Sequence, residues 1–62
     1  MLELDYVLTD FLENRFERLS PDNQQRFVQL LRENDQDLQQ WLIAGHDPVD
    51  RDLARIVALF RG

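Results

Sequence analysis

The chain has no cysteine. Disulfide staples, thiolate zinc sites and thiol nucleophiles are therefore excluded. It has no lysine either, so all seven of its cations are arginines. Arginine suits planar, forked contacts with carboxylates. One His, one Tyr, one Ser and one Thr complete a thin catalytic inventory, short of a triad or a zinc-bound water. Apolar runs such as Trp41-Leu42-Ile43-Ala44 are far below the ~20 residues of a membrane span. No basic stretch followed by an apolar core opens the chain, so no secretory signal is expected and the cytoplasm is the default compartment. Cations are outnumbered by acids, seven to twelve, giving a formal charge of −5. Nucleic acids and anionic membranes both need a cationic footprint, so neither is an expected partner.

What remains is 62 residues, 44% hydrophobic and 31% charged, enough for one small domain over residues 1–62. A chain of this size buries only ~60% of its unfolded surface. Its stability must come from an apolar core or from a partner.

The two Gly and two Pro lie at the ends of periodic segments, and no alternating β-branched run appears. Leu4, Leu8, Phe11, Leu12, Phe16 and Leu19 follow helical spacing and predict a first helix over Glu3–Leu19. Ser20-Pro21 is a cap followed by a proline at the first helical position. It predicts a second helix to Arg32 or Glu33, with Phe27, Val28, Leu30 and Leu31 on its apolar side. Asp35 is the expected cap of a short third helix buried through Leu38, Trp41 and Leu42. Gly45 is expected to end it in the left-handed conformation. Pro48 is expected to open the last helix, capped by Asp47 or Asp50, with Val49, Leu53, Ile56, Val57 and Phe60 as its stripe. Four helices with short links predict an all-α, small antiparallel helical bundle.

Two clusters invite a metal and do not support one. His46, Asp47 and Asp50 lack the geometry of a closed site. Asp35-Gln36-Asp37 resembles the start of a calcium loop but lacks the required Gly and distal Glu. Both read better as capping carboxylates. Trp41 shares a face with Leu38 and Leu42; it is expected at the core edge, where an exposed ring edge would make a good interface anchor. Glu3 and Asp5, on spacing alone, are favourable first-turn carboxylates.

The ordered set Glu3-Leu4-Asp5, Phe11-Leu12-Glu13, Phe16, Leu19-Ser20, Phe27, Leu30-Leu31 and Asp35-x-Asp37-Leu38-x-x-Trp41-Leu42 resembles one family closely. It is the small FAD assembly (flavinylation) factor of succinate dehydrogenase and fumarate reductase. The resemblance implies a five-helix bundle that binds the flavoprotein subunit of the respiratory enzyme and promotes covalent attachment of FAD to it. The thin inventory leads to the expectation of no enzyme activity, no cofactor and no metal in this chain, and no flavin contact is expected, since no Gly-rich phosphate loop is present. The family signature is Arg-Gly-x-x-Glu. Met1-Leu2-Glu3 match only its last three positions. The resemblance therefore implies that Met1 is an internal methionine, with the Arg-Gly and the family's first helix missing. It carries Glu3 alone over from that signature as a client contact, with Asp5 following; Trp41 joins them as an anchor through its own ring edge. Without that first helix, the surface near Leu2, Leu4 and Tyr6 is expected to fray or to self-associate. The second reading left by the residues is an antitoxin-like or generic acidic interaction module.

Overall fold

The structure, a computed structural model, describes residues 2–62. The expectation about Met1 falls outside them.

Leu4 and Phe11, two helical turns apart, are both buried, and half-buried Leu8 lies between them. They define helix α1, Leu2–Asn14. The predicted helix to Leu19 stops early. Its last α-type bond runs from the Arg15 amide to the Phe11 carbonyl at 2.9 Å. Arg15 then leaves helical geometry at φ −130°, ψ −21°, and a separate 3-10 turn spans Phe16–Arg18. Further along, the helix could not have run through Ser20 in any case. A residue before proline is pushed out of the helical region, and Ser20 is extended at φ −61°, ψ 158°. Leu19 is extended as well. The Asn14 side-chain Nδ2 donates back to the Asp10 carbonyl and carboxylate. The Gln24 side chain donates to the Phe16 carbonyl at 3.1 Å, tying the turn to the next helix.

Helix α2, Pro21–Leu30, starts as expected: Ser20 accepts from the Asn23 amide at 3.2 Å, and proline takes the first position. It ends before Arg32. The Arg32 and Glu33 amides tighten onto the Gln29 and Leu30 carbonyls, three residues back. Phe27 and Leu30 are buried, whereas Val28 and Leu31 are exposed and not on the core side.

Asn34, not Asp35, caps the third helix α3, Asp35–Leu38. Its backbone is extended at φ −73°, ψ 159°, and its Oδ1 accepts from the Asp37 amide at 2.8 Å. Asp35 is the first helical residue, where its charge complements the dipole. Beyond Leu38 the helix widens into a π-turn over Gln39–Ile43. Gly45 reverses the chain at φ +85° as predicted.

Helix α4, Arg51–Phe60, is capped by Asp50, whose Oδ1 accepts from the Asp52 and Leu53 amides. Pro48 does not open it. This proline is buried in the preceding loop. Val49, expected on the apolar stripe, is fully exposed. Starting the helix at Pro48 would have required Asp47 as cap, and Asp47 is instead paired with Arg61.

The core gathers Leu4, Phe11, Phe27, Leu30, Leu38, Leu53, Ile56 and Val57, with no buried charged side chain among the described residues. All four phenylalanines meet there. Phe11 stacks on Phe60 at 4.0 Å and on Phe27 at 5.3 Å, and Phe16 meets Phe27 edge-on at 5.4 Å. α2 and α4 pack most extensively, with α1 and the π-turn adjacent. The Arg26–Asp52 ion pair at 3.0 Å bridges α2 and α4. The fold is all-α with no strand among the described residues. Its radius of gyration, 10.6 Å, is that of a compact domain.

Candidate functional site

Glu3 and Asp5 lie in the exposed first turn of α1. Neither makes a side-chain hydrogen bond or ion pair among the described residues. Two residues apart on a helix, they are separated by ~200° of rotation and do not act as one carboxylate pair. Asp5 faces α2 and lines a groove of about 460 Å³ with Leu8, Thr9, Leu12, Phe27 and Leu31. Between the two acids, Leu4 points inward and is 2% exposed. It lines a recess of about 260 Å³ with Asp35, Gln36, Gln39 and Gln40. The Gln39 Oε1 is buried without a hydrogen-bond partner. The expected uncovered surface is thus divided. Leu4 is packed, while Leu2 and Tyr6 are 86% and 71% exposed.

Trp41 sits on the π-turn, half-buried against the core. That turn packs on α1. The sequence-derived residues therefore occupy neighbouring elements rather than a single cluster.

The candidate metal ligands are engaged elsewhere. Asp47 pairs with Arg61, Asp50 caps α4, and His46 is exposed with its carbonyl bound by Arg61. Among the described residues no group of three or more His, Cys, Asp or Glu is placed to hold a metal. Another groove, about 610 Å³, is lined by Phe16, Gln24, Gln25, Val28, Gln29 and Arg32. It contains a single ionisable side chain. No described helix is long and apolar enough to cross a membrane.

Sequence reasoning did not anticipate the π-turn, the exposed Leu12, Val28 and Leu31, or the role of Arg61. The last carried one usable signal, a cation at the end of a helix. The π-turn carried none.

Comparison with known proteins bears on this surface. Residues 1–62 match the family described as "Flavinator of succinate dehydrogenase". The FAD assembly factor SdhE of Legionella pneumophila (strain Lens) is 41% identical over 61 residues, covering 98% of this chain and 76% of that protein. The FAD assembly factor SdhE of a Serratia species is 36% identical, covering 98% of this chain and 69% of its own length. That of Pseudomonas aeruginosa is 39% identical over 59 residues, covering 95% and 70%. No solved structure matches. A match along the full chain, with relatives above a third identical over nearly every residue, makes this chain a member of the succinate dehydrogenase flavinator family.

Proposed function

We propose that this chain is an assembly factor. It binds the flavoprotein subunit of succinate dehydrogenase or fumarate reductase in the cytoplasm and promotes covalent attachment of FAD there. The observation that carries this reading is the family match over residues 1–62. The family match also favours it over a generic acidic interaction module.

In this reading the bond-forming chemistry belongs to the client and its flavin, and the chain supplies shape rather than a catalytic group. A partner shifts an equilibrium only by preferring one state. Raising a client from roughly 1% to 99% competent takes ~5.5 kcal/mol of preference. A standard interface of ~800 Å² per side with a few anchors supplies that. Such a footprint is roughly a fifth of this molecule's 4524 Å² surface. It therefore engages most of one side of the bundle.

Glu3, Asp5 and Trp41 are the proposed anchors. Unpaired carboxylates at an ordered helix tip are free to receive an arginine or backbone amides of the client, as charge-assisted hydrogen bonds. The half-buried indole offers an apolar edge on the neighbouring turn. The test is co-expression with a succinate dehydrogenase flavoprotein subunit, followed by flavin fluorescence on a denaturing gel. The folded chain should raise covalent flavin, and Glu3→Ala should reduce the gain at unchanged helicity. Unchanged covalent flavin in the presence of well-folded protein overturns the proposal. Unfolding of Glu3→Ala assigns Glu3 a structural role instead.

A further inference from the structure

Gly45 ends the third helical segment with positive φ. In a regular helix ended this way, the amide after the glycine closes on the carbonyl five residues back. Here that pair would be His46 and Trp41. The π-turn shifts the register by one. The Ala44 amide reaches back five residues to the Gln39 carbonyl at 3.0 Å, and the His46 amide reaches six, to Gln40, at 2.9 Å. The Trp41 carbonyl thereby loses its ordinary closing partner.

Arg61, which follows α4, supplies the substitute. Its Nη2 donates to the Trp41 carbonyl at 3.1 Å and to the His46 carbonyl at 2.7 Å. Its Nη1 pairs with the Asp47 carboxylate. One guanidinium thus holds acceptors on both sides of the Gly45 reversal. Its own helix is fixed to the core through Leu53, Ile56 and Val57. A planar fork can serve three acceptors spread in this way; an ammonium is a single point. The ion-pair arm is exposed and adds little by itself, so the two carbonyl bonds carry the effect. Wide helical turns are uncommon, and they persist where the surroundings over-determine them.

We infer that Arg61 is a positioning residue: its guanidinium replaces the hydrogen bond that the π-turn takes from the Trp41 carbonyl, and so fixes how Trp41 is presented to the client. The functional half rests on the reading of Trp41 as a client anchor.

The chain has one tryptophan, so its emission reports this turn alone. In Arg61→Gln, Trp41 emission should shift to the red and acrylamide quenching should rise. Exchange of the Ala44 and His46 amides should speed about tenfold, while α2 amides stay as protected as before. Affinity for the flavoprotein subunit should fall about tenfold with it. Arg61→Lys should restore less than half of the protection, and Asp47→Asn should change little. Unaltered quenching and amide exchange in Arg61→Gln overturn the clasp, whatever the client does. If Trp41→Phe binds the client as tightly as the parent, the anchor reading of Trp41 fails, while the exchange data still judge the clasp.

Discussion

Replacing Phe11 with alanine should nearly unfold this molecule. Phe11 is 2% exposed and stacks on rings from two other elements: Phe27 of α2 at 5.3 Å and Phe60 of α4 at 4.0 Å. The Arg15 guanidinium lies 4.8 Å from the ring centre. Burying a phenyl ring and then deleting it costs about 3–5 kcal/mol. A 62-residue domain has a total stability of about 3–9 kcal/mol. With a urea slope of about 1 kcal/mol per molar for so small a chain, the midpoint should fall by about 3–5 M. From the lower half of that stability range the variant would be unfolded in buffer or at its margin.

The same geometry sets a finer expectation. Stacked rings interact by about 0.5–1.5 kcal/mol beyond their burial. A Phe11→Leu and Phe60→Leu double-mutant cycle should therefore show coupling of that size. Val49→Ala, at a fully exposed position that its apolar character assigned to the core, should change stability by less than about 0.5 kcal/mol. Circular dichroism during urea unfolding measures all three. A loss below about 1.5 kcal/mol for Phe11→Ala, with α1 amides still protected from exchange, would refute the claim that this ring pins α1 to the bundle.

Asn34→Ala should cost about 1 kcal/mol and Asp35→Ala less than half of that, because the Asn34 side chain accepts from the Asp37 amide; equal losses in thermal melts would contradict the cap assignment. Gly45→Ala should destabilise by about 1–2 kcal/mol through its φ of +85° alone, since nothing lies within 4 Å of the added methyl carbon; a neutral result would mean that the reversal can relax.

Which features were legible in the sequence follows from the range of the interaction that sets them. Ser20-Pro21 and Gly45 act through their own backbone preferences, and the structure places both as the sequence predicts. Leu4, Phe11, Phe27, Leu30, Leu53, Ile56 and Val57 fall inward because helical periodicity is a property of each segment. The third helix depended on a choice between adjacent residues. Asn34 and Asp35 can each cap a helix, and the shift of one residue was decided by which side chain could reach the Asp37 amide. The start of α4 likewise depended on a choice between two caps. Asp47 and Asp50 can each cap a helix, and it is the Asp50 carboxylate that reaches the Asp52 and Leu53 amides, while Asp47 lies beside Arg61. Pro48 then had no helix to open and was buried in the loop.

The candidate site divides along the same line. Glu3 and Asp5 are set by their place in the first turn of a helix, and the sequence alone puts them at an exposed tip. The setting of Trp41 is not local. Its ring packs on a core drawn from several helices, and its carbonyl is held by a side chain twenty residues later. Helical spacing could put Trp41 beside Leu38 and Leu42, but could not show that the turn beneath it widens and needs an outside donor. Residues near the start and near the end of the chain thus converge on neighbouring elements: the acids through α1, and Arg61 through the π-turn that packs against it. On the proposed reading, a client surface assembled in this way depends on the apolar core that holds those elements together. The stability variant and the binding variants therefore separate cleanly. Loss of Phe11 should remove both folding and binding, whereas changes at Glu3 or Arg61 should weaken binding in a bundle that still folds.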